Sequence, residues 1–197
     1  MGIRSPRDIE DRVGPSVVVV EAARHMQILF RSMLSGTGTK SLRIYSDPND
    51  AISSVVSDPP DVLLVDWESE KLPGEKFLRE FRNQRHYPVC LLPVIMVMSQ
   101  VSQQSFETAI RMGAHAVISK PVSGTRLFDY ISWVSREEQK MTLDGQKYVV
   151  SSLVDRLDPA NRNINEFDSS QMIHERHIAE VESIQSDVDR ILKSSFY

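Results

Sequence analysis

The stretch VLLVDWESEKLPGEKFLREFR, residues 62–82, decides the fold. Val62 to Val65 is a continuous apolar run, too short for a helix and suited to a strand buried on both faces. The run stops at Asp66 and a polar loop follows. From Gly74 to Arg82 the apolar residues Phe77, Leu78 and Phe81 recur at helical spacing. A strand followed by a helix in this way is half of a crossover unit.

The same alternation holds on both sides. Val17 to Val20 is a β-branched run, and Ala22 to Leu34 carries Met26, Leu29, Phe30, Met33 and Leu34 at spacings of three and four, closed by Gly36. Leu42 to Tyr45 reads as a strand. Asp47-Pro48 then supplies an N-cap with proline at the first helical position, opening a helix with Ala51, Ile52, Val55 and Val56 on one face. Downstream, Val94 to Met98 follows Pro93 as a strand, and Ser105 to Met112 has helical spacing before Gly113. Ala116 to Ile118 is a fifth strand, and Gly124 to Ser135 aligns Leu127, Phe128, Ile131 and Val134. Five strand-helix pairs in alternation specify an α/β fold with an open parallel sheet between two helix layers, because parallel neighbours require crossovers.

Composition narrows the function. The chain has 197 residues with 23 Lys and Arg against 27 Asp and Glu, a net charge of -4 that argues against a nucleic-acid binder. A single cysteine, Cys90, excludes a disulfide scaffold and reads as a small core residue in a reducing compartment. The longest mainly apolar run, Val89 to Met98, is about half of what a bilayer requires, so no membrane insertion is expected. The polar, acidic start MGIRSPRDIEDR resembles no signal peptide, and residues 1–15 read as a flexible arm of a cytoplasmic protein.

In open parallel sheets, ligand chemistry gathers at the carboxyl ends of the strands. Those positions hold Glu21, Asp66, Ser99 and Lys120. A carboxylate there can attack phosphorus if a cation offsets the repulsion and a lysine steadies the transferred group. The plainer readings are a loop-capping Asp66, an exposed strand-end Glu21 and a solvated Lys120. Lys120-Pro121 is also a candidate cis peptide. The five histidines lack the spacing and carboxylate company of a metal or phosphotransfer site.

Three strings, LLVDWESEKLPG at 63–74, PVIMVMS at 93–99 and RMGAHAVISKP at 111–121, resemble the receiver domain of two-component response regulators over about residues 16–135. The resemblance implies a flavodoxin-like, doubly wound five-stranded sheet in the order 2-1-3-4-5. It implies that Asp66 accepts phosphoryl from a histidine kinase or histidine phosphotransfer protein, with Lys120 contacting the phosphoryl oxygens. It further implies Mg²⁺ held by Glu21, Asp66 and the backbone carbonyl of Glu68, with Ser99 nearest the place of a switch hydroxyl. Departures are visible too. Receivers usually carry two adjacent acids after the first strand, where this chain has Glu21-Ala22-Ala23, so the expected Mg²⁺ site is a weakened one. Met98 falls where the family has a hydroxyl, and Ser99, one residue on, faces the other way in a strand. Val117 falls where an aromatic is common.

The expected function is therefore a single-domain response regulator of a bacterial phosphorelay, acting on a downstream protein by contact. No enzymatic turnover is expected beyond self-phosphorylation and self-dephosphorylation. A second reading is a pseudo-receiver working without phosphorylation. A third, a flavodoxin-like nucleotide or flavin binder, is opposed by EAARH at 21–25, which has no glycine-rich phosphate loop.

Residues 136–197 hold 8 basic and 12 acidic residues and so carry the whole net charge. Residues 136–169 read as a linker with a possible short hairpin at Asp144-Gly145 or a short helix. Residues 170–197 read as an amphipathic helix striped by Ile178, Val181, Ile184, Val188, Ile191 and Leu192. That stripe either folds back on the receiver or docks a partner, a second copy giving a homodimer.

Overall fold

The computed structural model describes residues 14–136 and 139–157. The expected amphipathic helix at 170–197 and most of the expected N-terminal arm lie outside the described residues.

Five strands, β1 (Ser16–Val20), β2 (Ser41–Tyr45), β3 (Val62–Asp66), β4 (Val94–Met98) and β5 (Ala116–Ser119), form one parallel sheet in the order β2-β1-β3-β4-β5. Five helices, α1 (Arg24–Ser35), α2 (Pro48–Ser57), α3 (Gly74–Phe81), α4 (Gln103–Arg111) and α5 (Gly124–Arg136), alternate with them. The expected doubly wound α/β fold is what the chain adopts. Alternate residues of each central strand feed two cores. Val18, Val20, Leu63, Val65, Val94, Met96 and Met98 face α2, α3 and α4, while Val17, Val19, Val62, Leu64, Ile95 and Val97 face α1 and α5. That two-sided burial is why these strands read as unbroken apolar runs.

Helix starts follow local chemistry. Asp47 accepts from the Asn49 N–H at 2.9 Å with Pro48 at the first position of α2. Ser102 and Ser105 form a reciprocal cap, which starts α4 at Gln103, two residues before the start that its apolar spacing suggests. Two expected helix stripes prove wider than the buried faces: Val56 is 54% and Leu29 45% exposed. Gly36 does close α1, with a right-handed φ of −98°. The left-handed residue of that turn is Gly38, at φ 84°. The Lys120-Pro121 peptide is cis, as is Tyr87-Pro88.

The described part of 136–169, expected as a linker with a possible hairpin or helix, contains both. β6 (Met141–Asp144) and β7 (Lys147–Val150) pair antiparallel, and α6 (Ser151–Leu157) follows. They are docked, not free. Val149 and Val150 are buried, and Leu153 and Leu157 pack on the core beside α4. The Tyr148 N–H donates to the Arg82 carbonyl at 2.9 Å, and Lys147 Nζ donates to the Arg111 carbonyl at 2.9 Å. Gly113, at φ 96°, permits this approach, since a Cβ there would lie 2.6 Å from the Tyr148 carbonyl oxygen.

Arg82, just past α3, is fully buried near the amino ends of β4 and β5. Its guanidinium donates to the carbonyls of Gly113 (2.8 Å), Leu92 (2.8 Å) and Cys90. It also meets His115 Nδ1 at 3.1 Å. A guanidinium only donates, so Nδ1 accepts and His115 is neutral. Burial lowers the Arg82 pKa to about 9, and burial with the Arg82 charge holds His115 well below the usual histidine range.

Candidate functional site

Strand register assembles the site. Val20 of β1 lies beside Val65 of β3, Asp66 beside Val97 of β4, and Met98 beside Ser119 of β5. The next residue of each chain path therefore emerges at the same edge. The ladder continues outward through the Glu21 N–H to the Tyr45 carbonyl (3.0 Å), the Trp67 N–H to the Val97 carbonyl (2.9 Å) and the Lys120 N–H to the Met98 carbonyl (2.7 Å). Glu21, Asp66 and Lys120 converge from three strands, as the sequence predicts.

Lys120 Nζ lies 2.7 Å from Asp66 Oδ1 and 3.2 Å from Glu21 Oε2. Asp66 is 7% and Glu21 3% exposed, so this is a largely desolvated charge cluster. Burial works to lower the Lys120 pKa, but the hydrogen bonds and charges of Asp66 and Glu21 outweigh it and raise the ammonium above its ordinary value. Glu21 is further fixed. Its Oε1 accepts the Ala23 N–H at 2.9 Å, and its backbone carbonyl accepts Gln27 Nε2 at 2.6 Å. The plain reading of Glu21 as an exposed strand-end charge is thereby overturned.

Glu68 enters through its side chain. Its Oε1 accepts the Ser99 N–H at 2.7 Å, tying the β3 loop to the end of β4. Burial raises its pKa, the Ser99 N–H opposes that, and the nearby Asp66 charge adds to it. Ser99 contributes this backbone donor and is itself exposed, while Met98 is fully buried in the core facing α3 and α4. Val117 is half-buried against that same core, and Trp67 packs on it beside Asp66.

Glu21 and Asp66, two of the Mg²⁺ ligands expected from the sequence, meet here with the Lys120 ammonium against both carboxylates and the other Glu21 oxygen on the backbone. Ala22 adds no further carboxylate, and among the described residues no three His, Cys, Asp or Glu side chains are grouped to hold a metal ion.

Sequence reading missed Gln27, the Glu68 carboxylate contact and the Asp47–Lys71 ion pair at 3.2 Å, which borders the same end of the sheet. The Asn49 N–H and Lys71 hold the Asp47 carboxyl below its ordinary pKa. Only Asp47 carried a signal, its place before Pro48; the others depend on loop paths that no spacing encodes.

A "Protein-glutamate methylesterase/protein-glutamine glutaminase 2" of Chromobacterium violaceum is 28% identical over 115 residues, covering 57% of this chain and 31% of that protein. A "Protein-glutamate methylesterase/protein-glutamine glutaminase 5" of Anaeromyxobacter dehalogenans is 30% identical over 115 residues, with 57% and 30% covered. The chain thus spans about a third of the length of these curated relatives. Among solved structures, the receiver domain of a Francisella response regulator superposes with a TM-score of 0.56 at 20% identity, covering 62% of this chain and 98% of that one. The receiver domain of a Pseudomonas aeruginosa sensor histidine kinase, described with a magnesium ion coordinated in its active-site cleft, gives 0.57 at 21%, with 64% and 100% covered. At those identities the structures speak for the fold. Among the described residues, no helix is long and apolar enough to cross a membrane. The family model of the response regulator receiver domain matches residues 17–132, from Val17 in β1 to Ser132 in α5, and this chain belongs to that family of two-component signalling domains.

Proposed function

We propose that this receiver accepts a phosphoryl group on Asp66 and signals by changing its protein contacts. The observation that carries the reading is the Lys120 Nζ at 2.7 Å from Asp66 Oδ1, at the carboxyl end of the central strand. A carboxylate oxygen of Asp66 bonds to the phosphorus of a phosphohistidine while the phosphorus–nitrogen bond breaks and its electron pair stays on nitrogen. Lys120 turns from the carboxylate to the phosphoryl oxygens and offsets the added charge. The donor is a histidine kinase or a histidine phosphotransfer protein in the cytoplasm, and the output is a downstream protein. Exposed Ile28 and Leu29 on α1, the helix that follows Glu21, offer apolar surface for such contact. No turnover of a small substrate is assigned to the chain.

One observation favours a second reading, the pseudo-receiver. Met98 puts a buried thioether where a switch hydroxyl is expected, which removes the usual link between phosphorylation and the rest of the domain. Intact mass after incubation with acetyl phosphate, with and without Mg²⁺, separates the two. Wild type should gain one phosphoryl and Asp66→Asn none. Absence of any gain in wild type establishes the pseudo-receiver.

A further inference from the structure

We propose that Lys120 is the resident cation of this site and that the acidic cluster is closed to divalent metal. The exclusion of metal stands on the geometry alone; the consequence for phosphoryl transfer rests on Asp66 being the acceptor.

Two carboxylates, Glu21 and Asp66, 3% and 7% exposed, are held against one ammonium, so a divalent cation would enter beside a like charge in a desolvated site. The stereochemistry points the same way. Mg²⁺ needs oxygens arranged as an octahedron at close range. Of the four carboxylate oxygens, Asp66 Oδ1 and Glu21 Oε2 accept from Lys120, and Glu21 Oε1 accepts from the Ala23 N–H. The Glu68 carboxylate, the remaining acid close by, is turned onto the Ser99 N–H. Ala22, exposed beside Glu21, is where the missing acid would stand. The lysine thus does locally what a metal would do, holding two carboxylates together, and it can move to an incoming phosphoryl group without first displacing an ion.

Calorimetric titration of the full chain with MgCl₂ tests this. Wild type should show no saturable binding. Ala22→Asp, an exposed change that restores a second acid, should gain saturable binding, because carboxylate count tunes such sites over decades. Lys120→Met, which frees both carboxylates, should also gain binding. Saturable wild-type binding overturns the proposal, and so does an absence of binding in all three proteins. In parallel, phosphoryl incorporation from acetyl phosphate should be unchanged by EDTA. Incorporation abolished by EDTA overturns the inference. No incorporation under either condition overturns the role of Asp66 as acceptor, and the MgCl₂ titration alone then decides whether the cluster is closed to metal.

Discussion

The two ends of this sheet each hold a cation, and they hold it differently. At the carboxyl ends Lys120 is paired with carboxylates, by a flexible stem with a rotatable point charge. At the amino ends Arg82 is held by three backbone carbonyls and a neutral histidine, and among the described residues no carboxylate forms an ion pair with it. A rigid fork that satisfies several fixed acceptors locks loops together. A point charge balanced between two acids can be redirected. One end is built to stay and the other to respond.

The largest expected effect breaks the first half of that contrast. Arg82→Leu strips the Gly113, Cys90 and Leu92 carbonyls of their donor, and at ~1–3 kcal/mol for each unsatisfied group the loss should reach about 4 kcal/mol or more. Urea denaturation checks it. Arg82→Lys keeps the charge without the fork and should fall between wild type and Leu; equality with wild type would mean that charge, not geometry, holds the loops.

Next comes the other end. Lys120→Met leaves Glu21 and Asp66 buried without their cation and should cost about 3 kcal/mol by the same measurement. Lowering the pH should recover part of that loss, because protonating either acid removes the uncompensated charge; no recovery would show that the lysine acts through packing of its stem.

The smallest effect sharpens the contrast by pH. The His115 pKa is depressed in the folded state by burial and the Arg82 charge. Its contribution is therefore fully present above the unfolded histidine pKa of about 6.5 and is lost as pH falls toward the folded value, with a slope of at most about 1.4 kcal/mol per pH unit. Urea midpoints between about pH 7.5 and pH 5 should fall for wild type and stay flatter for His115→Gln. Parallel curves would show that the ring carries no linkage.

Sequence reading reached the two ends unequally for a physical reason. Val17–Val20, Val62–Val65 and Val94–Met98 announced strands because burial on both faces demands continuous apolar residues, and strand order then delivered Glu21, Asp66 and Lys120 to one edge. Arg82 and His115 were silent. Their partners are mainly backbone carbonyls, and a carbonyl leaves no mark on residue identity. The docking of β6 and β7 was hidden likewise, since it runs through the Arg82 carbonyl and the bare backbone of Gly113. Val56 shows the opposite error, an apolar residue at the right spacing that faces water because the buried stripe of α2 is narrower than its periodicity suggests.

Cys90 has one more consequence. It is the only thiol in the chain, it is fully buried, its carbonyl is gripped by Arg82, and burial pushes its pKa up. A thiol-directed reagent therefore reaches the protein only when the amino end of the sheet opens, so at reagent concentrations where labelling outpaces reclosing its rate is the rate of that opening. The molecule carries its own clock for the region built to stay shut.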